Sequence, residues 1–421
     1  MKKIHLRKQL VAIILIAIIA VSAPLLSSCM PKPPEEVEPI KIGFPYPMVG
    51  AYAADGQEMW RRITIAVDDI NAAGGLLGRP VEIVPADTKE MMPEDVVTAF
   101  KFLSTAGVDV FITDYAGEPA DVHAAMVYDI PYFSWNDSRT AERAIAENIE
   151  QCDNVLRVSP SGREYATIPY EVLTDVIPYE YPNKKIAILL MDYEWNIDIA
   201  KDLREVAAAD PEWEIVIDET HPYGATEYGS QLIRIREENP GLIFFITFAP
   251  VELVSFMEQF LEDPTDSIVY NPYTPCIPEF LELLGEEKAE GLFWGDQCSH
   301  YGAPLEEEFN QKFEERWGYT PRLSLTYDTV MLWAEAVKRV GDPSDYEAVL
   351  QAAIDYPYEG IAGTYKINPV THVGTAGYDY IPHRFFQIQD GRDVMLFLHD
   401  KPFEGTGRFA GSFEIPPWIG K

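Results

Sequence analysis

The sequence predicts an α/β protein built of two doubly wound, parallel-sheet lobes. Three observations carry that reading. Short apolar runs of strand length alternate with amphipathic helical stretches from Ile40 to Tyr270. The alternation restarts after the turn string Ser159-Pro160-Ser161-Gly162. The chain has 421 residues, too many for one hydrophobic core and enough for two or three lobes.

In the first run, Ile40 to Phe44 reads as a strand. A helix over 56–73 places Ile63, Ala66, Val67 and Ile70 on one face. The turn Gly74-Gly75-Leu76-Leu77-Gly78-Arg79-Pro80 leads to a strand over 81–85. A helix over 93–104 carries proline in its first turn. A strand over 108–113, a helix over 118–128 and a strand over 131–135 complete the run.

The second run begins with a helix over 163–176. Strands follow over 185–191, 213–218, 241–248 and 267–270, separated by helices over 197–208, 226–238 and 251–261. Helical crossovers of this length imply parallel sheets covered on both faces. The remainder is mixed. A strand is predicted over 291–295, and helices over 305–317, 323–340 and 346–354. Segments 364–367 and 384–389 are extended, and 394–398 pairs with the latter across Asp390-Gly391. The tail from Lys401 is rich in Gly and Pro and is expected to wrap the surface.

Composition excludes several functions. Lys and Arg total 33 against 68 Asp and Glu, a net charge of −35. Such a chain repels phosphate backbones, so nucleic acid is not an expected partner. The few basic residues are unevenly placed. Lys2, Lys3, Arg7 and Lys8 precede an apolar run from Leu10 to Ala23, and no acid occurs before Glu35. This is the pattern of a secretory signal. The run ends in Leu26-Ser27-Ser28-Cys29, which resembles a bacterial lipobox and implies lipidation of Cys29. A plain membrane-spanning anchor is the alternative, since 10–26 is nearly long enough to cross. Residues 1–28 are thus read as the signal. Residues 29–39, with their prolines and glutamates, read as a stiff tether. Either way the body is expected outside the cytoplasmic membrane. In an exported chain, Cys276 and Cys298 are the favoured pair for a disulfide, since both follow predicted strands in one half; Cys152 is then free.

Enzyme signatures are missing. No phosphate loop, G-x-S-x-G or H-E-x-x-H string occurs. Gly405-x-Gly407-x-x-x-Gly411 has the wrong spacing for a dinucleotide site and follows no strand. His372 and His383 share a region without a third ligand at motif spacing. Neither metal nor cofactor is expected.

After the tether, an opening strand leads into Pro47-Met48-Val49-Gly50-Ala51-Tyr52. A long helix then ends in Asp69-Ile70-Asn71-Ala72-Ala73-Gly74-Gly75-Leu76-Leu77-Gly78, followed later by Asp87-Thr88 and by Tyr327-Asp328. These strings resemble the Leu/Ile/Val-binding protein family, the type I solute-binding proteins of ABC importers, over about residues 40 to 390. The resemblance implies two lobes joined by three crossovers, near Arg157 to Pro160, Phe293 to Gly295 and Phe385 to Gln387. Residues 40–158 with 296–384 would form the N-terminal lobe, and 159–292 with 385–421 the C-terminal lobe and tail. It also implies a monomer that traps a small solute between closing lobes and hands it to membrane permease subunits. The bland reading of the glycine pair is a helix stop.

Ligands of open parallel sheets sit beyond the carboxyl ends of the strands. That rule and the resemblance select Tyr52, Asp55, Asp114, Tyr115, Ala116, Trp135, Asp137 and Ser138 from the first lobe. From the second they select Trp195, Phe248 and Tyr273. The family's amino-acid binders usually hold the substrate carboxylate with a Ser/Thr-rich loop after the third strand. Here that loop reads Asp114-Tyr115-Ala116-Gly117-Glu118. An acidic, aromatic lining suits an amino acid or related amine, with an amide or aromatic compound second. A ligand-sensing receptor and an exported enzyme are the competing functions.

Overall fold

The computed structural model describes residues 37–50, 52–299, 305–398 and 412–420. The expected signal, the expected lipidation site Cys29, nearly all of the tether and much of the tail lie outside them.

The first sheet has five parallel strands: β1 (Ile40–Tyr46), β2 (Val81–Asp87), β3 (Val110–Thr113), β4 (Tyr132–Ser134) and β5 (Val155–Arg157). Their order is β2-β1-β3-β4-β5. Helices cover both faces, so β1 and β3 read as nearly unbroken apolar runs, with Ile40, Ile42, Phe44, Val110 and Ile112 fully buried. Helix Ala53–Ala72 buries Met59, Ile63, Ala66, Val67 and Ile70. Its end shows what the Asn-Gly-Gly string does. The Asn71 side chain donates to the Val81 carbonyl (2.9 Å) and accepts from the Val81 N–H (2.8 Å), clipping the helix to β2. Gly75 has φ of +83°, and a Cβ there would lie 2.2 Å from the Arg79 carbonyl oxygen. Only glycine fits that close approach.

The second sheet has seven strands. β6 (Lys185–Met191), β7 (Glu214–His221), β8 (Leu242–Ile246), β9 (Ile268–Pro272) and β10 (Phe293–Asp296) are parallel. A separate short hairpin comprises β11 (Tyr358–Glu359) and β12 (Thr364–Tyr365). β13 (Arg384–Gln389) and β14 (Arg392–Leu398) extend the second sheet antiparallel, giving β14-β13-β10-β9-β8-β6-β7. Asp390 and Gly391 both have positive φ, as the tight hairpin turn joining these two strands requires.

The chain leaves the first sheet after Arg157, leaves the parallel part of the second after Asp296 and re-enters it at Arg384. Between the last two points, helices Glu306–Trp317 and Leu325–Val340 return to the first sheet's side. Lys312 pairs with Asp69 at 2.8 Å, and the Tyr327 hydroxyl donates to the same carboxylate at 3.0 Å. Two elements were not anticipated beside β5. Helix Arg139–Glu147 is capped by Ser138, whose hydroxyl accepts from the Ala141 N–H. β5 itself has three residues, too few for a periodic signal.

The favoured disulfide is absent: Cys276 and Cys298 are buried free thiols, as is Cys152. Each of the pair is fixed by its own loop. Cys276 closes a 3-10 turn onto the Tyr273 carbonyl, and the Cys298 N–H donates to the Asp296 carboxylate.

Asp328 locks the returning helix in place. Its buried carboxylate accepts from the Ile361 and Ala362 N–H groups (2.9 Å each), the Tyr365 hydroxyl (2.9 Å) and the Ser324 hydroxyl (2.8 Å). Asp328→Ala strands four buried donors and is expected to cost about 3 kcal/mol. Asp328→Asn, which keeps one acceptor oxygen, is expected to lose less. Thermal melts of the two variants check both the loss and its order.

Candidate functional site

In sheets of this kind, the crevice opens where neighbouring crossovers diverge, beyond the strands' carboxyl ends. Here those points lie between β1 and β3 and between β6 and β8. The loops following these strands and their neighbours enclose one cavity of about 40 Å³. That is room for about three waters. Tyr115, Glu118, Trp135, Asn136 and Asp137 line it from the first sheet's side. Tyr193, Trp195, Phe248 and Tyr273 line it from the second, and Leu325 from the returning helix.

The loop after β3 turns at Gly117, whose φ is +112° and where a Cβ would meet the Met91 carbonyl oxygen at 2.7 Å. This turn points Tyr115 and Glu118 to the cavity. The Tyr115 hydroxyl donates to Asp55 in a short hydrogen bond, and Tyr273 donates to the same Asp55 oxygen at 2.9 Å. Below them Arg62, 2% exposed, donates to Asp114 at 2.8 Å and lies 3.8 Å from Asp55. Thr326 adds a 2.6 Å hydrogen bond to Asp114. Burial pushes Asp114 up to about 6 against the pull of Arg62 and Thr326.

The loop after β4 is held from beneath. Buried Asp121 accepts from the Tyr132 hydroxyl and the Asn136 amide (2.9 and 2.7 Å). This fixes Asn136 and directs Asp137 into the gap between the sheets. Trp195, in the first turn of helix Glu194–Ala209, crosses that gap and donates its indole N–H to Asp137 at 2.9 Å. Burial pushes Asp137 up to about 6, against the Tyr165 hydroxyl, the Arg157 charge and the Trp195 donor. Burial, then the carboxylates of Asp121 and Asp137, push Glu118 well above the usual carboxylate range, with the Tyr193 hydroxyl opposing.

The second side is aromatic. Phe248 meets Trp195 and Tyr193 edge-on, with ring centroids 5.9 and 5.2 Å away. Tyr273 has φ of +71° and ψ of −54°, a strained conformation for a residue with a side chain. It is over-determined by hydrogen bonds to the Gly295 carbonyl and Asp55.

Six of the eleven residues singled out from sequence meet at this cavity: Tyr115, Trp135, Asp137, Trp195, Phe248 and Tyr273. Five do not line it. Asp55 and Asp114 are spent on Arg62 and its hydroxyl partners beneath the cavity. Ser138 serves as the helix cap, and Ala116 packs into the core of the first sheet. Tyr52 stacks behind Phe248, between it and Tyr223. Glu118, Asn136, Tyr193 and Leu325 were missed. Glu118, Asn136 and Tyr193 sit within the strand-end loops, where position in the loop alone does not say which side chain faces the cavity. Leu325 comes from a distant helix and carries no local signal. Among the described residues, no cluster of His, Cys, Asp and Glu suits a metal ion.

The fold and the cavity define a class: a two-sheet α/β protein that encloses a small solute between strand-end loops. Residues 39–391 match the periplasmic binding protein family, and the chain belongs to it. It is an extracytoplasmic solute-binding protein of the ABC-transporter type. A Leu/Ile/Val-binding protein homolog 7 of Brucella suis is 24% identical over 364 residues, covering 82% of this chain and 86% of its own. A putative branched-chain amino acid ABC transporter protein from Silicibacter pomeroyi superposes with TM-score 0.78 at 25% identity, covering 91% of this chain and all of its own. An ABC transporter solute-binding protein from R. palustris, in complex with benzoate, superposes with TM-score 0.71 at 19% identity, over 89% of this chain and 98% of its own.

The buried carboxylates set a pH dependence. Asp114 and Asp137 are raised to about 6 and Glu252 to about 7, each chiefly by burial. The folded protein therefore holds these protons more tightly than the unfolded chain, and stability falls as pH rises through 6 to 7. Buried His221, lowered by burial, acts the other way and is one group against three. The melting temperature of the ligand-free protein is expected to be higher at pH 5.5 than at pH 7.5. A fall over that interval on acidification would contradict the burial of these groups.

Proposed function

We propose that this protein is the lipid-anchored receptor of an ABC importer and captures an amino acid or a related amine. The observation that carries the reading is the cavity itself. Six aromatic side chains from both sheets surround it, and two carboxyl groups, Glu118 and Asp137, face it. No basic side chain is among the described residues lining it. Aromatic faces and carboxylates attract an ammonium group, with cation–aromatic contact worth about 2 kcal/mol when desolvated. The similarity to Leu/Ile/Val-binding homologs supports an amino-acid-like solute. A benzoate complex on the same fold supports the second reading, an aromatic acid or amide. Trp195, Tyr115, Trp135, Asp137, Phe248 and Tyr273 are the proposed ligand contacts, joined by Glu118 and Tyr193.

The lobe assignment proposed here takes 40–158 with 296–384 as one jaw and 159–292 with 385–421 as the other. Ligand held by both jaws favours the closed form, which the permease would read. Cys29 is the proposed lipid attachment site, with the protein acting as a monomer.

A thermal-shift panel of amines, amino acids, amides and benzoates tests the solute class. A tight ligand raises the melting temperature by mass action. Amines or amino acids are expected to give the shifts. Shifts from benzoates alone would overturn the choice, and turnover of the shifting compound would favour an enzyme. Replacing Trp195 by Ala is expected to weaken binding at least tenfold, read by calorimetry. The anchor is tested separately: Cys29→Ala, expressed with its full N-terminus, is expected to leave the lipid-labelled fraction. Retained labelling with radioactive palmitate would place the lipid elsewhere.

A further inference from the structure

Two buried polar atoms at the cavity have no partner within the protein. One is Oε2 of Glu118, an acceptor. The other is Nε1 of Trp135, which only donates, on a side chain 3% exposed. Unpaired buried groups of this kind cost about 1–3 kcal/mol each. Both residues line the same small space. Together they specify the polar pattern of an occupant: a donor toward Glu118 and an acceptor toward Trp135.

The charge around the space narrows the class. Asp137 keeps company with the Trp195 indole and the nearby Tyr165 hydroxyl, both neutral. The nearest cations are already spent. Arg62 lies beneath, on Asp114 and Asp55. Arg157 donates to the carbonyls of Ser138 and Pro160 and lies 3.5 Å from Glu142. An occupant's carboxylate would therefore enter a small, aromatic-walled space beside two acids with one indole N–H to receive it. Moving a carboxylate out of water without a charged partner is prohibitive. A neutral carbonyl or hydroxyl meets the same indole without that cost.

We propose that the cavity selects a compact organic cation carrying a neutral hydrogen-bond acceptor, and that it discriminates against a free carboxylate. This rests on the receptor reading above and narrows it from amino acids and amines to ammonium compounds of the amide, ester or alcohol kind. The ammonium sits against Glu118 and Asp137 within the rings of Tyr193, Trp195 and Phe248. The acceptor takes the Trp135 proton. The limited volume excludes large bodies unless the loops part.

The test is calorimetry on the processed full-length protein with paired probes at pH 7.0: glycine and glycinamide, alanine and alaninamide, leucine and leucinamide, with propionamide as the neutral control. Each amide is expected to bind at least tenfold tighter than its acid, and tighter than propionamide. An acid that binds as tightly as its amide overturns the discrimination while leaving the receptor for amines standing. Heat from benzoate with none from any amine overturns both. Glu118→Gln separates a binding role from a structural one. It removes the carboxyl group while keeping the shape, so the ligand-free melting temperature is expected to hold while alaninamide affinity falls at least tenfold. Unchanged affinity would remove Glu118 from the site. Trp135→Phe is expected to narrow the gap between alaninamide and ethylamine, which lacks the acceptor; an unaltered gap would refute the indole's part.

Discussion

The ion pair between Arg62 and Asp114 is the constraint on which the site is built. An arginine sealed from water must be met by carboxylates, and Asp114 and Asp55 meet it. Asp55 in turn orients the hydroxyls of Tyr115 and Tyr273, one from each side of the cavity. The aromatic walls are thus fixed from below by a network whose positive charge is fully used. The consequence is electrostatic. The acids nearer the cavity, Glu118 and Asp137, receive no share of that arginine. What reads in the sequence as one acidic lining is physically two layers, a floor paired with Arg62 and a wall that has no ion pair of its own.

That distinction explains how much could be read from sequence. The βαβ alternation is periodic over tens of residues, so both parallel sheets and the β13–β14 hairpin were legible. The strand-end rule located the loops, and six side chains of the cavity came with them. What failed were choices within a loop. Asp114 and Glu118 lie four positions apart, and their spacing contains nothing to say which one faces Arg62. Arg62 sits in the middle of helix Ala53–Ala72, where a lone arginine reads as a solvated side chain. Its burial is a tertiary fact. Likewise Cys276 and Cys298 share one half of the chain, yet both are free thiols.

The glycine string at the end of helix Ala53–Ala72 illustrates the opposite case. As a helix stop it is unremarkable, and many sequences carry one. The structure adds the clip from Asn71 to Val81, which sets where β2 begins relative to β1. The register of β1 and β2 then fixes the height of the loop after β1. Local chemistry and long-range placement coincide there, which is why a short string carries family information that the surrounding helix does not.

The last question is what holds two sheets together around a space so small. Direct links cross it: Trp195 to Asp137, Tyr273 to Asp55, and the stacked Tyr52 and Phe248. Beside them Arg143 and Thr140 reach Asp198. A solute adds to closure only through contacts that the links do not already make. The links use one oxygen each of Asp55 and Asp137, and they use the rings of Tyr52 and Phe248 against each other. They leave Oε2 of Glu118 and the Trp135 indole N–H without partners. What the links leave for a solute to meet is therefore concentrated on those two groups and on the ring faces between them. Tyr273 is held in a costly backbone conformation by bonds to both sides, to the Gly295 carbonyl and to Asp55.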